Sequence, residues 1–212
     1  MPVKDLLVGP DRIERWLAGF ADRHGSVSVE VTPDVVVAVA ADGARAECRV
    51  PFPPLTPDDS QPDGGLAAHA SHDRMVAVIL VRRGGYAVGV FDGDRLLASK
   101  VGSRHVQGRT AAGGQSQQRF ARRREKQARE AFDAAAEVAA RVILPYSDRL
   151  HALVLGGDRA ATDHVLADPR LRRLADLVIP DRLAVPDPKL AVLKDTPRLF
   201  RGVRIHLAEP SG

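Results

Sequence analysis

The spacing of apolar and polar residues predicts most of the elements of this chain. Over residues 10–24, Ile13, Trp16, Leu17 and Phe20 recur at i, i+3, i+4 and i+7 among Asp11, Arg12, Glu14 and Arg15, which predicts a helix stopped by Gly25. Residues 27–31 alternate and residues 35–40 are continuously apolar, so both predict strands, joined around Thr32-Pro33-Asp34. The uninterrupted run Met75-Val-Ala-Val-Ile-Leu-Val81 suits a buried central strand. Two more strands, over residues 86–91 and 95–101, are set off by Arg83-Gly84-Gly85 and by the hairpin pair Asp92-Gly93, giving a three-stranded antiparallel meander. Residues 102–114 are polar, bear glycines and show no periodicity, which predicts an exposed loop.

Residues 116–144 give the clearest helix, with Ser116 as its expected N-cap and Pro145 ending it. Its second half carries an apolar stripe: Ala128, Ala131, Phe132, Ala135, Val138, Ala139 and Val142. Its first half does not, since Phe120 is the one large apolar residue there among arginines and lysines. The helix is therefore expected to dock by its C-terminal half and to project its basic N-terminal half outward. A strand over 152–155 turns at Gly156-Gly157 into a helix over about 158–166; residues 174–179 and 202–207 read as strands, and 183–193 is ambiguous. The prolines 51, 53, 54, 57 and 62, with Gly64-Gly65, predict a linker or loop over 51–73. The expected organisation is an N-terminal helix-and-strand piece (1–50), that linker, a main domain (74–207) and a short tail (208–212). The fold class is α/β, with a mixed β-sheet and packed helices.

Composition adds boundaries. At 212 residues the chain is expected to hold one domain, or one with an appendage. Aromatics are only 4%, so aliphatic residues must build the core. No apolar run is longer than that from Met75 to Val81, which falls far short of the ~20 residues that a bilayer-crossing helix needs. The N-terminus, Met1-Pro-Val-Lys-Asp, has no long apolar h-region, so no secretory signal and a cytoplasmic location are expected. The single cysteine, Cys48, excludes an internal disulfide and a cysteine-cluster metal site.

Charge is more informative. The net charge is +4, and it is uneven: from Lys100 to Glu130 nine basic residues face two acidic ones, leaving the rest of the chain net acidic. One basic segment on an acidic body is the footprint of a polyanion-binding face. Arg104, Arg109, Arg119, Arg122, Arg123, Arg124 and Lys126 are the candidate RNA contacts. At the head of this segment stand Gly113-Gly114-Gln115. The glycines admit positive φ and close backbone approach. Gln115 follows at a helix N-terminus, where unpaired N–H groups and the helix dipole favour an oxyanion or phosphate.

The motif Gly113-Gly114-Gln115-Ser116-x-x-Arg119-Phe120-Ala121-Arg122, with Gly108-Arg109 before it, resembles the middle domain of the class-1 release factors of archaea and eukaryotes. The resemblance covers about residues 74–207 and implies that domain's ribonuclease-H-like architecture, with a flexible loop carrying the Gly-Gly-Gln. Some 70 residues precede the match and almost none follow it, too few for a stop-codon-reading domain. The chain is more similar to the short Vms-type ribosome quality-control hydrolases, in their compact bacterial form. That likeness implies hydrolysis of the peptidyl-tRNA ester on stalled large ribosomal subunits. Gln115, Gly113 and Gly114 would be catalytic, and the partners would be the large subunit, its rRNA and peptidyl-tRNA. No cofactor, metal, membrane or DNA is called for. Gln117 and Gln118 depart from the small and apolar residues common in the termination factors. The alternative is a non-catalytic module that binds ribosomal RNA through the basic helix.

Other constellations weigh less. His69-x-x-His72-Asp73 has no third ligand at sensible spacing for a metal. Asp92 and Asp94 are explained by a hairpin rather than a nuclease site, and Gly156-Gly157-Asp158 by a strand-to-helix turn.

Overall fold

The computed structural model describes residues 3–82, 85–103 and 115–210, with backbone alone for residues 115–125. In chain order the elements are β1 (Val3–Val8), α1 (Ile13–His24), β2 (Val27–Val31), β3 (Val35–Ala40), β4 (Arg45–Arg49), α2 (Leu66–Ser71), β5 (Met75–Arg82), β6 (Gly85–Asp92), β7 (Arg95–Ser103), α3 (Gln115–Ile143), β8 (Ala152–Gly157), α4 (Arg159–Leu166), α5 (Leu190–Phe200) and β9 (Val203–Ala208). The described residues form two compact units: Met1–Asp73 with Pro197–Gly212, and Arg74–Thr196.

The first unit is built on an antiparallel sheet in the order β1-β9-β4-β3-β2. Its core gathers Ile13 and Phe20 of α1, Val36 and Ala38 of β3, Ala46 and Cys48 of β4, and Val203, Ile205 and Leu207 of β9. Strand β9 lies between β1 and β4, with Ile205 opposite both Leu6 and Cys48. Two expectations are corrected here. Residues 203–207 do not belong to the main domain as expected; they complete the first unit's sheet, because Val203, Ile205 and Leu207 alternate inward and find their partners on strands near the N-terminus. Residues 51–73 are not a free linker: Leu55, Leu66 and Ala70 are buried in the core and α2 forms within the segment. The buried Asp63 carboxylate accepts from the N–H groups of Gly65 (3.0 Å) and Ala67 (2.7 Å), and His69 Nε2 donates to the Pro51 carbonyl at 3.0 Å.

The second unit holds a mixed sheet in the order β7-β6-β5-β8, so the α/β class with a mixed sheet is what the chain forms. The β5-β6-β7 meander is antiparallel, and β8 joins β5 in parallel. That parallel pairing needs a crossover, which α3 supplies. Every residue of β5 up to Val81 is buried, as its unbroken apolar run requires. The sheet and helices share one core that includes Ile79, Val90, Ala135, Ala139, Ile143, Leu153 and Val165.

Residues 174–179, expected to form a strand, do not: residues 174–177 end a 3-10 turn over Pro169–Leu177 instead. Asp168 caps it by accepting from the Arg170 N–H at 2.9 Å, and Leu171 and Leu174, three residues apart, bury on one side. Of residues 174–179 only Val178, just past the turn, makes a β-bridge, to Leu153. Gln115 is already helical, so Ser116 lies inside α3 and is not its cap.

Candidate functional site

Helix α3 has 29 residues, about 43 Å at 1.5 Å per residue. Its sequence divides it. Ala135, Ala136, Val138, Ala139, Ala140 and Ile143 are buried, while among the described side chains from Lys126 to Ala134 none is fully buried. Helical spacing of about 100° per residue places positions 119, 122, 123 and 126 on one face. The stripe of 128, 132, 135, 139 and 142 falls on the opposite face, the one that packs. Arg124 falls nearer the packing side. A cationic row is thereby laid along the helix diametrically to its anchor. Lys126 is exposed, as is Arg129.

Gln115 is the first residue of α3. A helix's first N–H groups have no intrahelical acceptors, and they lie where the positive end of the dipole is concentrated. Gly113, Gly114, Arg104 and Arg109 lie outside the described residues. Arg119, Arg122, Arg123 and Arg124 are placed by backbone only, within α3.

His164 Nε2 and Asp133 Oδ1 meet at 2.6 Å, joining α4 to α3, and the His164 ring lies 5.7 Å from that of Phe132. Arg82 Nε stands 3.7 Å from Asp158 Oδ1, and an Arg82 guanidinium N–H donates to the Val185 carbonyl at 3.2 Å. Beside α3 the end of β7 borders a cleft of about 190 Å³, whose lining includes Tyr86, Gly102, Ser103, Ala131, Phe132 and Ala134. Sequence reasoning passes over Tyr86 and Gly102, because their juxtaposition depends on strand register and leaves no local signature.

The minor constellations resolve as structure. Asp92 pairs with Arg95 at 3.2 Å around Gly93 (φ 62°), and Asp73 pairs with Arg201 at 2.8 Å. Gly157 (φ 90°) makes the turn from β8 into α4. Among the described residues no group of three or more His, Cys, Asp or Glu is arranged to hold a metal, and no helix is long and apolar enough to cross a membrane.

Comparison with known proteins adds a family. The profile of the Actinobacteria/Chloroflexi VLRF1 release factor matches residues 74–206. No curated protein sequence matches the chain. Among solved structures, the chain is similar to the crystal structure of archaeal translation termination factor aRF1 (15% identity, TM-score 0.45), covering 91% of this chain and 62% of that one. It is also similar to one described only as an archaeal protein (16% identity, TM-score 0.44), covering 90% and 57%. The chain therefore spans less than two thirds of the length of either protein.

Proposed function

We propose a function from one premise: the chain belongs to the Actinobacteria/Chloroflexi VLRF1 release-factor family. On that premise, the protein hydrolyses the ester of peptidyl-tRNA on stalled large ribosomal subunits and frees the nascent chain without reading a stop codon. The observation that carries this reading is the position of Gln115, at the first residue of a 29-residue helix, directly after Gly113-Gly114.

The chemistry follows from that position. Attack of water on the ester carbonyl builds negative charge on the carbonyl oxygen; as the C–O bond to the tRNA breaks, the proton that the attacking water gives up is taken up by the leaving 3′ oxygen. The Gln115 backbone N–H, free of an intrahelical acceptor, can donate to the developing oxyanion. A preorganised donor of this kind contributes about 3–4 kcal/mol. The Gln115 side-chain amide positions the attacking water. The glycines let the backbone enter a narrow site, as a Cβ would not. The row at positions 119, 122, 123 and 126 lies along ribosomal RNA phosphates and fixes the depth and angle of the tip. Placement of water and ester supplies the remaining acceleration, and no side-chain nucleophile is used.

The test separates chemistry from binding. Labelled peptide is released from stalled large-subunit–peptidyl-tRNA complexes while ribosome association is followed by co-sedimentation. Gln115→Ala is expected to sediment like wild type and to release far more slowly. Joint reversal of Arg119, Arg122 and Arg123 to Glu is expected to weaken sedimentation and flatten its salt dependence. Release at background level by wild type that still co-sediments would leave only a ribosome-binding module, and equal, above-background release by wild type and Gln115→Ala would remove the role given to the side-chain amide.

A further inference from the structure

The stretch that carries Gly113 and Gly114 leaves from Ser103 of β7 and returns at Gln115 of α3. Strand β7 is the edge of its sheet and pairs only with β6. The α3 residues from Lys126 to Ala134 are at most partly buried. Neither root is thus held by deep burial near the loop, and something else must fix one root against the other.

Tyr86 stands at that place. It is the register partner of Gly102, one residue before the strand ends. A Cβ built on Gly102 would lie 2.4 Å from Tyr86 Cζ, 2.5 Å from its Oη and 2.7 Å from Cε1, so the phenol occupies the space over Gly102 that any other residue's side chain would need. The strands are drawn close beside this pair as well, since a Cβ on Gly85 would lie 2.7 Å from the Gly102 carbonyl oxygen. The same ring packs on the core of the sheet and α3, and it lines the 190 Å³ cleft together with Ala131, Phe132 and Ala134. An aromatic laid over a cross-strand glycine is a device that pins register. Here it also faces the helix on which the loop ends.

We propose that Tyr86 is a positioning residue for peptide release: its ring, seated on Gly102 and facing Ala131 and Phe132, holds the two roots of the Gly113–Gly114 loop at a fixed separation. It touches neither ester nor RNA. Its effect falls on the rate of the chemical step and not on ribosome affinity, because a displacement of about 1 Å at a reacting group can cost up to ~100-fold in rate. The catalytic part of this inference rests on the proposed hydrolase function; the geometric part does not.

The test therefore has two readouts on the full-length protein. Spin labels at Lys100→Cys and Lys126→Cys, both exposed positions, report the separation of β7 and α3. The native Cys48 is buried, with its thiol pushed up to about 12 chiefly by desolvation, and stays unlabelled. Tyr86→Ala is expected to broaden the distance distribution, and Tyr86→Phe, which keeps the ring, to preserve it. Gly102→Ala, which expels the ring while leaving Tyr86 in the chain, should broaden it too. In single-turnover release, Tyr86→Ala and Gly102→Ala should lose roughly 10-fold or more in rate at unchanged ribosome affinity, and Tyr86→Phe should retain most of the rate. A Tyr86→Ala protein with an unbroadened distribution overturns the proposal, as does one that loses affinity in parallel with rate. If the distribution broadens but wild-type protein releases no peptide, the hydrolase reading fails and the brace stands.

Discussion

Replacing Gly157 by alanine should destabilise the second unit far more than an ordinary glycine substitution. Gly157 ends β8 with φ 90°, a conformation that costs an L-residue about 1–3 kcal/mol. A Cβ there would sit 2.2 Å from the Val81 carbonyl oxygen, well inside contact distance. Val81 has little room to retreat, because it is the register partner of Gly157 and its carbonyl accepts the Asp158 N–H at 2.8 Å. Relief therefore means opening the β5-β8 pairing at the point where the chain enters α4. Gly43 supplies the control, since its φ is 88° but a Cβ there would meet no atom within 4 Å, so Gly43→Ala bears the backbone cost alone. Gly157→Ala should exceed about 3 kcal/mol, which lowers Tm by roughly 6–12 °C at 2–4 °C per kcal/mol. Urea and thermal unfolding followed by far-ultraviolet circular dichroism is the assay, because the single tryptophan, Trp16, reports on the other unit. Should Gly157→Ala cost no more than Gly43→Ala, the close packing of β8 against Val81 is wrong.

Three further outcomes are expected. Arg170, through its side chain and its backbone N–H, holds the Asp168 carboxyl down to about 2, so the cap is intact above the ordinary value of 3.8 and fades as pH falls toward 2. Asp168→Ala should cost ~1 kcal/mol at pH 7 and progressively less between pH 4 and 2, read by denaturant unfolding across that range. Removal of residues 203–212 takes the strand between β1 and β4, with three buried apolar side chains worth ~1.5–3 kcal/mol each, and should unfold the first unit; native-like Trp16 fluorescence would contradict this. Ribosome co-sedimentation by the wild-type chain should fall steeply with salt, because phosphate contacts release counterions, and a flat profile would remove the basic row from the interface.

How much of this is legible in the sequence depends on whether the signal is local. Strands β2 and β3, the β5-β6-β7 meander and the packing stripe of α3 announce themselves by periodicity, and the helix begins within one residue of its expected start. Strand β4, Arg45-Ala-Glu-Cys-Arg49, alternates correctly but is hidden by three charges in five residues. Strand β1 has the same difficulty, with Lys4 and Asp5 in its first half. The membership of β9 cannot be read at all: its own pattern is plain, but Val3 pairs with Ala208 across nearly the whole chain. The segment 51–73 looks like a linker because prolines and glycines dominate it, whereas Leu55, Leu66 and Ala70 decide its fate by burial. For the candidate site, the motif and the charge row are visible in one dimension. The opposition of that row to the packing face needs the helix, and the Tyr86–Gly102 pair needs the register.

The central claim is that the start of α3 performs hydrolysis. Its most direct test is the single-turnover rate of peptide release from stalled large-subunit complexes by wild type, Gln115→Ala and Gln115→Pro, since proline is tolerated in a helix's first turn and removes the backbone donor. Wild type should release the peptide, Gln115→Ala should be slow, and Gln115→Pro slower still by about 10²–10³ relative to wild type, all three binding alike. Equal rates for the three proteins would contradict the account.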